Sequence, residues 1–328
     1  MKPVFALLTL LMLGLFILSL VTGPADLGMA DSLLAMIWGG DGPVPIVMRE
    51  IRLPRAILGL AIGGALGLGG AAMQGYLRNP LAEPGLIGVS GMAALGAVLA
   101  IQTGMALNAP LVLPLSALIG AAAGAGLLIL LAGPGGGSVT LILAGIAISA
   151  LANAGTALVL NLSPNPYAAN EIVFWLMGSL ADRSMLHVAL ALPLILLGAV
   201  LVCGTARGLD ALTLGESAAM SMGVSAVALR WRLIAGLALM IGPATAVAGV
   251  IGFVGLVVPH ILRPWVGARP SLLLPASALG GAILVLTADI AVRMIVPERD
   301  LKLGVLTAII GAPLFLHLIW KTRSGGRI

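Results

Sequence analysis

Long apolar runs with no charge inside them recur along this chain. Val4–Val21, Ala56–Leu77, Leu111–Ala132 and Leu141–Leu160 hold no Asp, Glu, Lys or Arg. About 20 apolar residues are what a helix needs to cross the hydrocarbon core. Inside that core every backbone polar group must bond within the protein, so only helices and closed barrels can span. Barrel strands alternate polar and apolar residues, whereas these runs are continuous. The chain therefore reads as an all-α polytopic membrane protein. The charges agree: 12 acidic and 17 basic residues make up 9% of 328, against roughly 25% in an ordinary soluble domain. That is too few to cover a water-facing surface, which excludes a soluble enzyme. A mean hydropathy of +1.16 excludes disorder, which needs low hydrophobicity and high charge.

The runs and breaks define ten spans in a single transmembrane domain, residues 1–328. They lie at about 4–21, 56–77, 90–106, 111–132, 141–160, 186–204, 229–250, 252–262, 272–292 and 303–320. The first could be a signal peptide, but its length and the spans behind it favour a retained helix. Thr22–Glu50 is polar and turn-rich, with a short interfacial helix expected at Leu33–Trp38. Gly133–Ser138 reads as a flexible turn, and Glu171–Ser179 as a short helix outside the core. Residues 207–223 are helical but too polar to span.

Ten spans put both termini on one side. With that side cytoplasmic, ten basic residues fall inside: Lys2, Arg78, Arg207, Arg230, Arg232, Arg263, Arg269, Lys321, Arg323 and Arg327. Seven fall outside: Arg49, Arg52, Arg55, Arg183, Arg293, Arg299 and Lys302. The bias follows the positive-inside rule and leaves the outer arginines in need of a reason. Spans two to five and seven to ten also form two similar sets. Each follows a pair of arginines (Arg52/Arg55, Arg230/Arg232) and carries a Gly/Pro-broken element after its first helix. One set starts outside and the other inside, as in the inverted repeats of transporters. Gly59, Gly63 and Gly67 share one helix face, where small residues let backbones approach.

Polar groups within the spans are few: Asn153, His260, Asp289, His317 and scattered Ser and Thr. Asp289 and Arg293 stand four apart, one helical turn, and read as a salt bridge. The histidines are far apart and lack metal-ligand spacing, so no metal or catalytic residue is assigned. Cys203, the one cysteine, lies in an apolar run and is expected to be buried. None of the three lysines sits in a GxxxxGK[ST] phosphate loop, so any ATPase must be a separate subunit. The pI near 10.1 comes without a basic run or aromatic interleaving, so nucleic acid is not expected. An intramembrane enzyme would need clustered carboxylates or histidines, which are missing. A passive channel stays open at this point.

Two blocks carry a resemblance: Asn79-Pro80-Leu81-Ala82-Glu83-Pro84-Gly85 and Gly252-Phe253-Val254-Gly255-Leu256-Val257-Val258-Pro259-His260. Together with Arg52-Leu53-Pro54-Arg55, Leu214–Ala218, Ala288-Asp289-Ile290 and Gly311-Ala312-Pro313, they resemble the FecCD family in order and spacing. These are permease subunits of ATP-binding-cassette importers for iron chelates, haem and cobalamin, with the type II importer fold. The resemblance implies a second copy of the permease or a close paralogue, two ATPase subunits that bind ATP and Mg, and a periplasmic substrate-binding protein. It implies the bacterial inner membrane, with lipid around the bundle and no cofactor in this chain. Arg52, Arg55 and Arg293 match positions that receive acidic residues of the binding protein. Leu214, Gly215, Glu216, Ser217 and Ala218 match cytoplasmic coupling helices that fit the ATPase. Gly136, Gly137, Ser138 and Val139 stand where the family has its cytoplasmic gate. The expected cargo is a ferric siderophore or haem, with cobalamin as the alternative.

Overall fold

The computed structural model describes residues 2–23, 28, 32, 34, 36, 38–39, 42–107, 109–133, 137–295 and 301–323. Among them thirteen helices can be traced. They are α1 (Lys2–Val21), α2 (Pro43–Leu77), α3 (Val89–Gln102), α4 (Val112–Ala132), α5 (Ser138–Asn161), α6 (Pro166–Leu176) and α7 (Met185–Cys203). Two short helices follow, α8 (Ala206–Leu212) and α9 (Glu216–Ser221). Then come α10 (Ala226–Ala248), α11 (Val254–Val266), α12 (Pro270–Ile295) and α13 (Leu303–Arg323). Seven are long and apolar enough to cross a membrane: α1, α2, α4, α5, α7, α10 and α12. α3, α11 and the Leu303–His317 part of α13 are apolar but shorter.

Three boundaries differ from the sequence reading for local reasons. α2 starts at Pro43, well before Ala56, because Val47–Arg52 winds as a π-turn that carries the chain past Pro54 without a break. There Leu53 N–H bonds five residues back to Met48 O. α5 starts at Ser138, so Ser138 and Val139 sit in its first turn and not in a flexible loop; extended Gly137 is the N-cap. α6 starts at Pro166, where the Asn165 side chain accepts the Tyr167 amide. Proline at the first helical position costs no hydrogen bond. Of the expected Leu33–Trp38 helix, Leu34, Met36 and Trp38 are helical, and the alternate residues lie outside those described.

The packing repeats itself. α2 packs on α12 as α10 packs on α4. α3 packs on α4 and α5 as α11 packs on α12 and α13, and α2 meets α11 as α10 meets α3. Exchanging α2–α5 with α10–α13 maps these pairings onto one another, the signature of an inverted repeat. At the α2–α12 seam the backbones touch. A Cβ at Gly67 would run into the Ser277 carbonyl, and one at Gly281 into the Gly63 carbonyl. Leu286 presses on Gly59 from the same helix, at 3.1 Å from where a Cβ would stand. The glycine face of α2 is thus a packing face.

α2 and α10 are the most enclosed spans, while α1, α5 and α7 turn leucines and isoleucines outward. Cys203, expected to be buried, is exposed at the end of α7. It shares the outward side of that helix with Leu196 and Val200, a side that can face lipid, so an apolar run did not mean an interior position.

Candidate functional site: two charged ends and a broken centre

At the end of the bundle where α1 finishes, helices α1, α2 and α12 bring together residues far apart in sequence. Asp289, on α12, is buried. Arg55 Nε donates to both its oxygens (2.9 and 3.2 Å), and Arg55 Nη2 lies 2.9 Å from Oδ1. Arg293 Nη2 reaches Oδ2 at 2.8 Å, completing the expected i, i+4 pair. Arg293 Nη1 also donates to Ser19 O and Thr22 O, and Nη2 to Ser19 Oγ. Arg52 is buried and donates through Nη1 to Leu20 O and Val21 O. The last carbonyls of α1, which have no partner within the helix, are thereby capped by two guanidinium groups, and these suit the negative end of its dipole. The three arginines singled out in the sequence do converge. Spacing could not show that Asp289 joins Arg55 across 234 residues. Arg49 is exposed at the same end and bonds Met36 O.

Midway along α2, the two breaks meet. Pro84 and Gly255 pack against each other and against α2 between Leu66 and Gly70. Each half-helix starts from a left-handed residue: Gly88 (φ 78°) before α3 and Phe253 (φ 68°) before α11. A phenylalanine in that region is strained and persists only where its surroundings hold it. Glu83 supplies the hold, because its Oε1 accepts the Phe253 amide at 2.8 Å. A carboxylate of one repeat therefore caps the half-helix of the other, where a helix amino terminus favours negative charge. Glu83, Ser90 and Thr245 are the polar side chains around a cavity of about 180 Å³ here, lined otherwise by residues such as Ile62, Leu66 and Ile241. On the far side of Phe253, an apolar groove of about 740 Å³ runs between α6, residues 250–253 and α13. Phe253 also packs its Cβ and ring against Gly311 of α13.

Toward the opposite end, Gln74 is buried and ties α2 to α11. It donates to Gly255 O and Leu256 O at 3.3 Å and accepts from Arg263 Nη2 at 2.9 Å. Asp210 of α8 binds Arg269 Nε and the Ser271 amide, both at 2.8 Å, and so anchors the 206–221 segment to the start of α12. Burial works to raise the Asp210 carboxyl, but the bonds from Arg269 and Ser271 outweigh it and hold it below the usual carboxylate range. Beyond Asp210 the surface is open. Leu214, Glu216 and Ser217 are exposed, Gly215 turns the chain at φ 104°, and Ala218 is half-buried. Met220 and Met222 are exposed beside them; they were missed in the sequence, where isolated methionines carry no pattern. Of the gate positions, Gly136 lies outside the described residues, Ser138 is half-buried, and Gly137 and Val139 are exposed. No three His, Cys, Asp or Glu come together among the described residues.

An inverted repeat with helices broken at its centre and charged clusters at both ends defines a multi-pass membrane transport subunit, with no nucleotide-hydrolysing machinery in its sequence. A model of the FecCD transport family matches residues 10–321. The chain belongs to that family, whose members are permeases of ATP-binding-cassette transporters. It is 39% identical over 323 residues to the hemin transport system permease protein HmuU of Yersinia pestis, covering 96% of each chain. To the Fe(3+)-citrate import system permease protein YfmE of Bacillus subtilis it is 38% identical, covering 97% of this chain and 95% of that one. A solved structure described as an inward-facing conformation of a metal-chelate type ABC transporter superposes with a TM-score of 0.86. It is 33% identical, and the match covers 98% of this chain and 99% of that one.

Proposed function

We propose that this chain, with a second copy or close paralogue, forms the path through which a ferric siderophore or haem enters the cytoplasm, driven by two separate ATPase subunits. The observation that carries the reading is the apolar groove beside α13, with exposed Ile309 and Leu316 on the same helix. A wide apolar wall without fixed ligands lets a bulky chelate pass without being trapped. The named cargoes of similar permeases, hemin and ferric citrate, support an iron-bearing chelate. The ten helical segments fit ten spans with both termini cytoplasmic, in a bacterial inner membrane. In that orientation Arg55 meets the substrate-binding protein, Arg52 and Arg293 hold the end of α1 beside it as parts of the same docking face, and Leu214–Ala218 meet the ATPase. Gly137, Ser138 and Val139, at the start of α5, serve together with Gly136 as the cytoplasmic gate. Ser138 keeps the small polar character of the family's gate, whereas Val139 and the glycine run before it depart from that pattern. The test of cargo is ligand titration of the importer's binding protein by tryptophan fluorescence. Tight binding of a ferric siderophore or haem is expected, and binding of cobalamin alone would overturn this assignment.

A further inference from the structure

We propose that Asp289 is a positioning residue that presents Arg55 to a carboxylate of the protein docking on the outer face. The inference rests on the docking reading above and goes further by separating the roles of the three arginines. Arg52 and Arg293 spend their guanidinium groups on the end of α1. Arg55 does not. It meets Asp289 side-on, through Nε and Nη2, and its Nη1 makes no hydrogen bond among the described residues. Its side chain keeps 17% exposure, against 2% for Asp289 and 7% for Arg293.

A guanidinium is a rigid planar fork. When the Nε–Nη2 edge is taken, the Nη1–Nη2 edge remains and points away from the first carboxylate. That edge can take a second carboxylate with two parallel hydrogen bonds. Asp289 can serve as a fixed backstop because Arg293 grips its other oxygen at 2.8 Å while being itself tied to α1. Charge favours an anionic visitor as well. Two guanidinium groups grip the one carboxylate and a third, Arg52, sits on the adjoining α1 terminus, which offsets only about half a charge. An arginine already ordered before contact loses less freedom on binding, and this lengthens residence more than it speeds encounter. The partner chemistry is an Asp or Glu projecting from a protein surface.

The test is a double-mutant cycle on dissociation rate, with the full-length chain in nanodiscs and the immobilised binding protein of the same importer. Arg55→Ala should speed dissociation by about tenfold or more, and Asp289→Asn by several-fold. The pair together should do no more than Arg55→Ala alone. Multiplying effects would show that Asp289 does not act through Arg55 and would overturn the proposal. If Arg55→Ala leaves both rates unchanged, the docking reading fails instead. Asp289→Asn can also loosen α12, so Arg55→Lys provides a second arm. Lysine keeps the charge and loses the fork, so association should persist while dissociation quickens. Wild-type dissociation from Arg55→Lys would also overturn the proposal.

Discussion

Replacing Glu83 with alanine tests the joint between the two repeats. The Glu83 carboxylate accepts the Phe253 amide at 2.8 Å, and Phe253 holds a left-handed conformation at φ 68°. A hydrogen bond to a charged group contributes about 1.5–3 kcal/mol, and an unmet buried amide costs a similar amount. Glu83→Ala should therefore loosen the amino terminus of α11 by about 2–3 kcal/mol. Glu83→Gln keeps an acceptor and gives up only the charge at the helix terminus, about 1 kcal/mol. Amide hydrogen exchange of the detergent-solubilised chain reads this directly. Protection at Phe253 should fall roughly 30- to 140-fold in the alanine variant and much less in the glutamine one. Equal protection in wild type and both variants would refute the capping argument. Loss confined to residues 80–88 would refute the cross-repeat part of it.

Three further outcomes follow from the packing and from the end that carries Asp210. Gly67→Ala places a methyl against the Ser277 carbonyl and should cost about 1–3 kcal/mol in thermal stability. Gly64→Ala, whose added carbon would stand 3.6 Å from Ala278 O, should melt within a degree or two of wild type. The Asp210 carboxyl is held below its ordinary 3.8. Its contribution is therefore complete above that value and fades as pH falls through the lower folded one. Proteolysis of the 206–223 segment should rise on acidification below about pH 4 in wild type, with no such pH step for Asp210→Asn. Replacing Leu214, Met220 and Met222 with serine should remove most ATPase copurification, because these exposed apolar side chains are what a soluble partner can bury. Undiminished copurification would place the contact elsewhere.

The membrane class and the inverted repeat were legible because both rest on patterns written along the chain. Continuous apolar runs mark helices, and the Gly/Pro breaks at 80–91 and 249–264 mark their interruption. The Asp289–Arg293 pair was legible for the same reason, since four residues are one turn. Arg55 was visible only as one of a pair of arginines before the second span. Its bond to Asp289, like the bonds of Glu83 to Phe253 and Asp210 to Ser271, joins distant segments. No local period records such contacts. The start of α2 was missed because a polar stretch with Pro43, Pro45 and Pro54 reads as a breaker, whereas a π-turn carries the helix through it. The exposure of Cys203 was missed because an apolar run faces lipid as readily as it faces protein.

The central claim is that this chain turns ATP hydrolysis by a partner into inward movement of an iron chelate. Its most direct test is uptake into proteoliposomes holding the permease and its ATPase, with the binding protein and radiolabelled ferric siderophore or haem outside and ATP inside. The account predicts uptake that needs both ATP and the binding protein, together with ATP hydrolysis stimulated by the loaded binding protein. Chelate entry at the same rate without ATP would contradict it and point to a passive channel.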